Sequence, residues 1–238
     1  MTDPYKIQSD YYTQTAGLYD DMHGDPEHDV ALSYISSFIA GLNISSILDV
    51  GCGTGRGIKY FLSKDKNLTI KGVEPVEALI EIAVSKNHIS HQLISKGNGE
   101  NLPFMDQSFD AVFELAMLHH VPHPNLVVSE MIRVARKAIF ISDSNRFGQG
   151  SYLARWVKLI LYKLGLWRWA DLIRTRGKGY TITPGDGLAY SYSIFDSYDL
   201  LAQWADRIIL IPTVPISSKT WFHPLLTSGH ILMCAIRE

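Results

Sequence analysis

The chain has 238 residues, 46% apolar and 19% charged, enough to build a sizeable core and too apolar for a disordered polymer. Its 22 Lys and Arg against 24 Asp and Glu leave a formal charge of -2, which excludes a uniformly basic nucleic-acid coat. No apolar run reaches the roughly 20 residues that span a bilayer. The opening Met1-Thr2-Asp3-Pro4-Tyr5 lacks the basic-then-apolar pattern of a secretory signal, and two cysteines, Cys52 and Cys234, make neither a disulfide framework nor a metal cluster. The expectation is a soluble, cytoplasmic, globular protein with no metal site.

In chain order, two helices are expected first, over 9–19 and 26–40. Ser46-Ile47-Leu48-Asp49-Val50 is an apolar run ending at glycines, as a buried strand does, and Ile58, Tyr60, Phe61 and Leu62 suit the helix after it. Residues 68–73 read as a second strand. Pro75 sits where a helix begins, with Leu79, Ile80, Ala83 and Val84 on its inward face. Strands follow at 91–95, 109–115 and 137–142, with a helix over 126–134. The tail reads helix (198–205), strand (207–211) and strand (230–236). Strands alternating with helices predict an α/β fold with a mostly parallel sheet covered on both faces.

Chemistry begins at Asp49-Val50-Gly51-Cys52-Gly53-Thr54-Gly55-Arg56-Gly57. A strand running into Gly-x-Gly-x-Gly and a helix brings backbone close to a ligand where a Cβ would clash, and free N–H groups at the helix start favour an electronegative group. Taken alone, the pattern is equally a plain glycine turn. Glu74 ends the second strand near the offset at which an acid meets a ribose in nucleotide folds, although an acid before Pro75 is also an ordinary helix start. Gly97-Asn98-Gly99-Glu100-Asn101-Leu102-Pro103-Phe104 adds a polar turn and an apolar hook before Ser108-Phe109-Asp110.

In combination with Leu118-His119-His120-Val121, these motifs resemble the class I S-adenosylmethionine-dependent methyltransferases, especially the group near the ubiquinone and menaquinone C-methyltransferases. The likeness covers about Tyr12 to Asp143. It implies a Rossmann-like sheet of seven strands, the last antiparallel, and S-adenosyl-L-methionine as cofactor with S-adenosyl-L-homocysteine as product. It further implies that Gly51, Gly53 and Gly55, with Cys52, run under the methionine part and that Asp49 shapes the loop. Glu74, followed by Pro75, takes the ribose hydroxyls, Asn98 and Gly99 meet the adenine edge, and Glu100 supports them. Tyr19, in the opening helix, closes over the methionine end, with Tyr11 a second candidate. Asn98 departs from the group's usual Asp; its carbonyl oxygen still accepts from an amino group, but without charge. The resemblance divides the single domain into N-terminal helices (1–42), a cofactor-binding core (43–145), a basic cap (146–195) and a C-terminal helix with a strand hairpin (196–238).

For the transfer itself, Glu114 ends a strand where open α/β sheets place ligands, and it joins both the catalytic and the cofactor-binding candidates. His119 and His120 follow; either can take a proton near neutral pH, and one of the pair is expected to be structural. No Asn/Asp-Pro-Pro-Tyr motif follows the fourth strand, which argues against methylation of exocyclic base amines. Asp143-Ser144-Asn145 with Glu114 is better read as a polar strand end than as an oxygen-ligand metal site.

Between Arg146 and Lys178 eight basic residues face one acid, Asp171, a charge of +7; the remaining 14 basic and 23 acidic residues carry -9. Leu153, Trp156, Val157, Ile160, Leu161 and Leu164 form a helical apolar stripe there. It is either a cap helix packed on the core with its charges in water, or a peripheral membrane contact through 151–178. Tyr180, Tyr190 and Tyr192 among glycines read as an aromatic flap over the acceptor. The expected function is methyl transfer to a small-molecule or lipid- or diphosphate-linked intermediate, with sugar O-methylation the first choice. A non-catalytic adaptor keeping the fold is the alternative; an RNA methyltransferase is disfavoured by the acidic remainder.

Overall fold

Strand β1 (Ser46–Val50) alternates across the sheet, as a pleated strand must. Ile47 packs with Leu32, Ile35, Ile58 and Phe61 on one face, while Leu48 and Val50 pack with Val127, Val128 and Met131 on the other. The structure is a computed structural model and describes residues 3–22, 24, 26–214, 220 and 222–238. Its core extends through β2 (Thr69–Glu74), β3 (Ile94–Lys96), β4 (Phe109–Leu115) and β5 (Ala135–Ser144), all parallel to β1. A separate two-stranded ribbon, β6 (Tyr180–Thr183) and β7 (Gly187–Tyr190), follows. The main sheet closes with β8 (Arg207–Pro212) and β9 (His230–Ile236) in the order β3-β2-β1-β4-β5-β9-β8, with β9 antiparallel to both neighbours.

Helix α1 (Pro4–Thr15) starts earlier than its apolar pattern suggests, because Asp3 caps the Tyr5 N–H at 3.0 Å and Pro4 fits a first helical turn. A short 3-10 turn, Ala16–Leu18, separates it from α2 (Tyr19–Met22). Helices α3 (Pro26–Gly41), α4 (Arg56–Lys64) and α5 (Glu77–Ser85) place their apolar residues with the Ile47 side of the core. On the opposite side, α6 (Pro124–Val134) runs into β5 without a loop, which is why β5 begins two residues before the expected 137. Helices α7 (Tyr152–Lys163) and α8 (Trp167–Arg174) form the basic cap, and α9 (Tyr198–Trp204) returns to the Leu48 side. Of the three tyrosines expected in a flap, Tyr180 and Tyr190 do face each other across β6–β7 with ring centroids 6.0 Å apart. Tyr192 does not belong to it. It is buried, with its hydroxyl 2.8 Å from the Ser197 hydroxyl, because an apolar ring with one polar tip is well placed in a core that supplies one partner.

Candidate active site

After β1 the chain reverses into α4 with Gly51, Gly53 and Gly55 at φ of 75°, 53° and 84°, a region that side chains with a Cβ rarely adopt. A Cβ on Gly51 would stand 2.6 Å from the Met117 side chain, and one on Gly53 3.1 Å from the Tyr19 hydroxyl. The three glycines do different things. Gly51 lines a cavity, Gly53 donates its N–H to Glu74 Oε2 at 2.9 Å, and Gly55 packs beneath Ile89, 2.9 Å from where its Cβ would lie. At Gly55 the absence of a side chain lets the loop after α5 pack close, through Ile89. Cys52 Sγ is 2.7 Å from where a Gly72 Cβ would lie, so its thiol packs against β2.

Glu74, at the end of β2, is almost wholly buried, and its second oxygen accepts the Val76 N–H at 3.0 Å. Burial pushes its carboxyl up to about 7, while the two N–H donors pull the other way. Asp49 is raised well above the ordinary carboxylate range, first by burial and then by Glu74. Asp49 and Glu74 thus each line a cavity at the carboxyl ends of β1 and β2, where parallel sheets hold ligands.

Tyr19 stands where three cavities meet. One, of about 400 Å³, is lined by Glu74, Pro75, Asn98, Gly99 and Met117. A second, of about 320 Å³, holds Asp49, Cys52 and Thr54. The third, of about 290 Å³, holds Tyr12, His119, His120 and Asp186. Helix α1 roofs the first cavity: Tyr5 donates to Glu100 Oε1 at 2.5 Å, and Asn98 Oδ1 accepts the Glu100 N–H at 2.9 Å, so Glu100 braces the roof as well as the loop. Of the two tyrosines at the helix centre, Tyr12 lines the cavities, whereas Tyr11 donates to the Pro184 carbonyl at 2.8 Å.

The two histidines are built in opposite ways. His119 Nδ1 lies 2.8 Å from Asp143, and its Nε2 lies 3.5 Å from Asp186. Burial disfavours its charge, but the Asp143 and Asp186 carboxylates overcome that and push it up to about 10. His120 goes down, through burial and then the neighbouring His119 charge. Its Nδ1 lies 2.7 Å from the Leu188 carbonyl, which only accepts, so Nδ1 carries the proton and Nε2 is the acceptor. Tyr12 donates to that Nε2 at 2.9 Å, and Asp186 stands 3.3 Å away. The ligating atoms of His119, His120 and Asp186 lie within 4.8 Å of one another, compact enough for a cation. The hydrogen bonds to Asp143, Leu188 and Tyr12 already orient them as a proton-handling group.

Glu114 is placed differently from expectation. It is fully buried at the end of β4, with Oε2 accepting the Met117 N–H at 2.8 Å and Oε1 without a partner. Burial raises its pKa well above the usual range. Glu114 is not among the residues lining the cavities described above; the half-buried Leu115 after it, at the end of β4, is. The residues that sequence reasoning missed are Asp186, Leu188 and Gln8; Asp143 was noticed only as a strand end. Gln8 and Tyr12 are one helical turn apart on α1, a signal present in the sequence. Asp186 and Leu188 come from a distant ribbon, and nothing local marks them.

Residues 48–141 match the family model of the methyltransferase domain. The phthiotriol/phenolphthiotriol dimycocerosates methyltransferase 1 of Mycobacterium ulcerans is 31% identical over 90 residues, which is 38% of this chain and 33% of that protein. The fatty-acid O-methyltransferase of Mycolicibacterium smegmatis is 27% identical over 109 residues, 46% of this chain and 40% of its own. The chain thus spans about a third to two-fifths of the length of these curated relatives. A crystal structure of an S-adenosylmethionine-dependent methyltransferase from Thermotoga maritima superposes with a TM-score of 0.62 at 17% identity, covering 99% of this chain and 100% of that one. The magnesium protoporphyrin IX methyltransferase of Synechocystis with bound S-adenosylmethionine gives 0.62 at 13% identity, covering 100% and 99%. At such identities the likeness is one of fold, and it runs the length of the chain. Residues 48–141 thus match a methyltransferase domain, and the chain as a whole has the fold of S-adenosylmethionine-dependent methyltransferases.

Proposed function

We propose that this protein transfers a methyl group from S-adenosylmethionine to a lipid or lipid-linked acceptor, with a hydroxyl oxygen as the attacking atom. The carrying observation is the junction at Tyr19, which joins the Glu74 cavity, the Asp49 cavity and the His120 cavity. The cleft fits the cofactor: a half-ionised buried carboxylate suits a vicinal diol, Asn98 and Gly99 offer an edge for a purine, and a Cβ on Gly51 would narrow the passage beside Met117. When bound, S-adenosylmethionine supplies an electrophilic methyl group on a sulfonium and leaves as S-adenosylhomocysteine.

This chain's residues do the rest. Tyr19, Gly51 and Tyr12 crowd the passage between the cavities and exclude water there. His120 Nε2 receives the proton of the acceptor hydroxyl in place of the Tyr12 hydrogen bond, and Asp186 at 3.3 Å stabilises the imidazolium formed. His119 holds Asp186 and is itself held by Asp143. The two relatives named for mycocerosate and fatty-acid methylation support a lipid-class acceptor. Sugar O-methylation is a narrower version of the same hydroxyl chemistry, with no residue here that selects it.

The test is calorimetric titration of S-adenosylmethionine into the parent protein and Glu74→Ala. Charged hydrogen bonds contribute roughly 1.5–3 kcal/mol each, so the variant should bind about 10- to 100-fold more weakly. Equal affinities would remove Glu74 from the site, and no binding to the parent would favour the non-catalytic adaptor.

A further inference from the structure

Helices α7 and α8 turn their apolar residues outward. Leu153, Val157, Ile160 and Leu164 succeed one another along one side of α7 at 76%, 46%, 54% and 65% exposure, and Trp169 and Ile173 continue the surface on α8 at 68% and 80%. An ordinary surface helix does the reverse. The cause lies in its polar residues: Arg155 donates to the carbonyls of Gly150 and Leu226 at 2.9 and 2.8 Å, and Lys158 to those of Arg146 and Gln149 at 3.0 Å each. Both side chains, expected in solvent if the stripe packed inward, instead clamp the polar side of α7 to the body. That anchoring leaves a contiguous apolar surface which no described residue covers, of the kind that marks an interaction site in a soluble domain.

The rim of this surface is basic. Lys163, Arg168, Arg174, Arg176 and Lys178 are exposed, and of these only Arg174 has an acidic partner among the described residues, Asp171 at 2.8 Å. We propose that the α7–α8 hairpin is the face by which the protein docks on an anionic lipid bilayer. The apolar side chains, with Trp169 among them, enter the headgroup boundary, and the basic rim meets the lipid phosphates. No helix among the described residues is long and apolar enough to cross a membrane, so the contact is lateral. Charge selects this occupant over a second copy of the chain, because a two-fold contact would press the same basic rim against itself. Charge also orients the molecule, since the rest of the sequence carries -9 and is repelled from an anionic surface. On the inner side of the hairpin, Tyr162, Trp167 and Leu172 line a cavity of about 720 Å³ that reaches Val121, which also lines the Glu74 cavity. A docked bilayer would therefore lie across one helical layer from the site.

The inference deepens the lipid-acceptor reading and draws its purpose from it, but its test is independent of catalysis. Flotation of the full chain is measured with phosphatidylcholine vesicles with and without phosphatidylglycerol, for the parent, Ile160→Ser/Trp169→Ser and Lys163→Glu/Arg176→Glu. Calorimetric binding of S-adenosylmethionine is measured on each, so that loss of fold or of the cofactor reading registers separately. The expected result is flotation with anionic vesicles only, weakened roughly tenfold or more in either double variant while cofactor binding stays unchanged. Parent protein that stays down with anionic vesicles overturns the proposal. So does a concentration-dependent dimer, seen by sedimentation velocity, that Ile160→Ser/Trp169→Ser dissolves, because the second copy is then the occupant.

Discussion

His119 and His120 are neighbours in sequence, yet their pKa values are driven apart, up to about 10 for the first and below the ordinary histidine value for the second. In the proposed mechanism this separation gives the charged ring the positioning role and the neutral ring the proton. His120→Gln is expected to lower kcat for a long-chain hydroxyl acceptor by roughly 10²- to 10⁴-fold. A fatty-acid carboxylate, already ionised, should lose much less, and cofactor affinity should hold; comparing the two acceptor types in one assay checks this. Glu74 adds a pH effect. Its folded pKa of about 7 exceeds the ordinary 4.5, so the folded state holds a proton that the unfolded chain has released between those values. Stability from this group is complete below 4.5 and is lost as pH rises through 7, by at most about 3 kcal/mol. Urea midpoints at pH 5 and pH 8 should therefore converge in Glu74→Gln relative to the parent. Cofactor affinity of the parent should rise over the same interval, because the ionised carboxylate is the better acceptor for ribose hydroxyls.

At the level of elements, α1 behaves as a roof tied down at its middle by the β6–β7 ribbon. Gln8 Oε1 accepts the Leu188 N–H at 2.6 Å, and the Leu188 carbonyl in turn fixes the His120 tautomer. Gln8→Ala should strip protection from the Leu188 amide in hydrogen exchange, loosen α1 and raise the KM for acceptor more than it lowers kcat. This tie also shows where sequence reasoning stops. The β1 strand, the glycine turn and Glu74 are legible because period-2 burial and backbone sterics act within a few residues. The choice between His119 and His120 is not, since it depends on Leu188 and Asp186, more than 60 positions later. Glu114 misled for a related reason: the end of β4 does open onto the cavities, but through Leu115, Ala116 and Met117, while the Glu114 side chain is buried behind them. The α7 stripe was visible as a stripe, but amphipathic spacing is the same whether the apolar side faces core or solvent. The carbonyls of Arg146, Gln149, Gly150 and Leu226 decided which.

Across the whole molecule, the cofactor cleft collects residues from α1, α2, the ends of β2 and β4, α5 and the loops at Gly51 and Asn98, so its occupant ties the α1 roof to the edge of the sheet. Ligand that binds only the folded state stabilises it by about 2.7 kcal/mol at a hundredfold excess over Kd. For a chain of this size that corresponds to a rise in Tm of roughly 5–10 °C. Gly51→Val should abolish the rise, because its first side-chain carbon would fall 2.6 Å from Met117 at a φ of 75°. Gly165→Ala, at an exposed turn in the cap with no atom within 4 Å, strains the backbone comparably at a φ of 71° but should leave the ligand-induced rise intact. The pair thus separates loss of the cleft from loss of stability, and thermal melts of both with and without S-adenosylmethionine supply the comparison. A parent that melts at one temperature whatever the ligand concentration would mean that the fold has kept its cradle without keeping its ligand, leaving the α7–α8 face as its main means of engaging anything else.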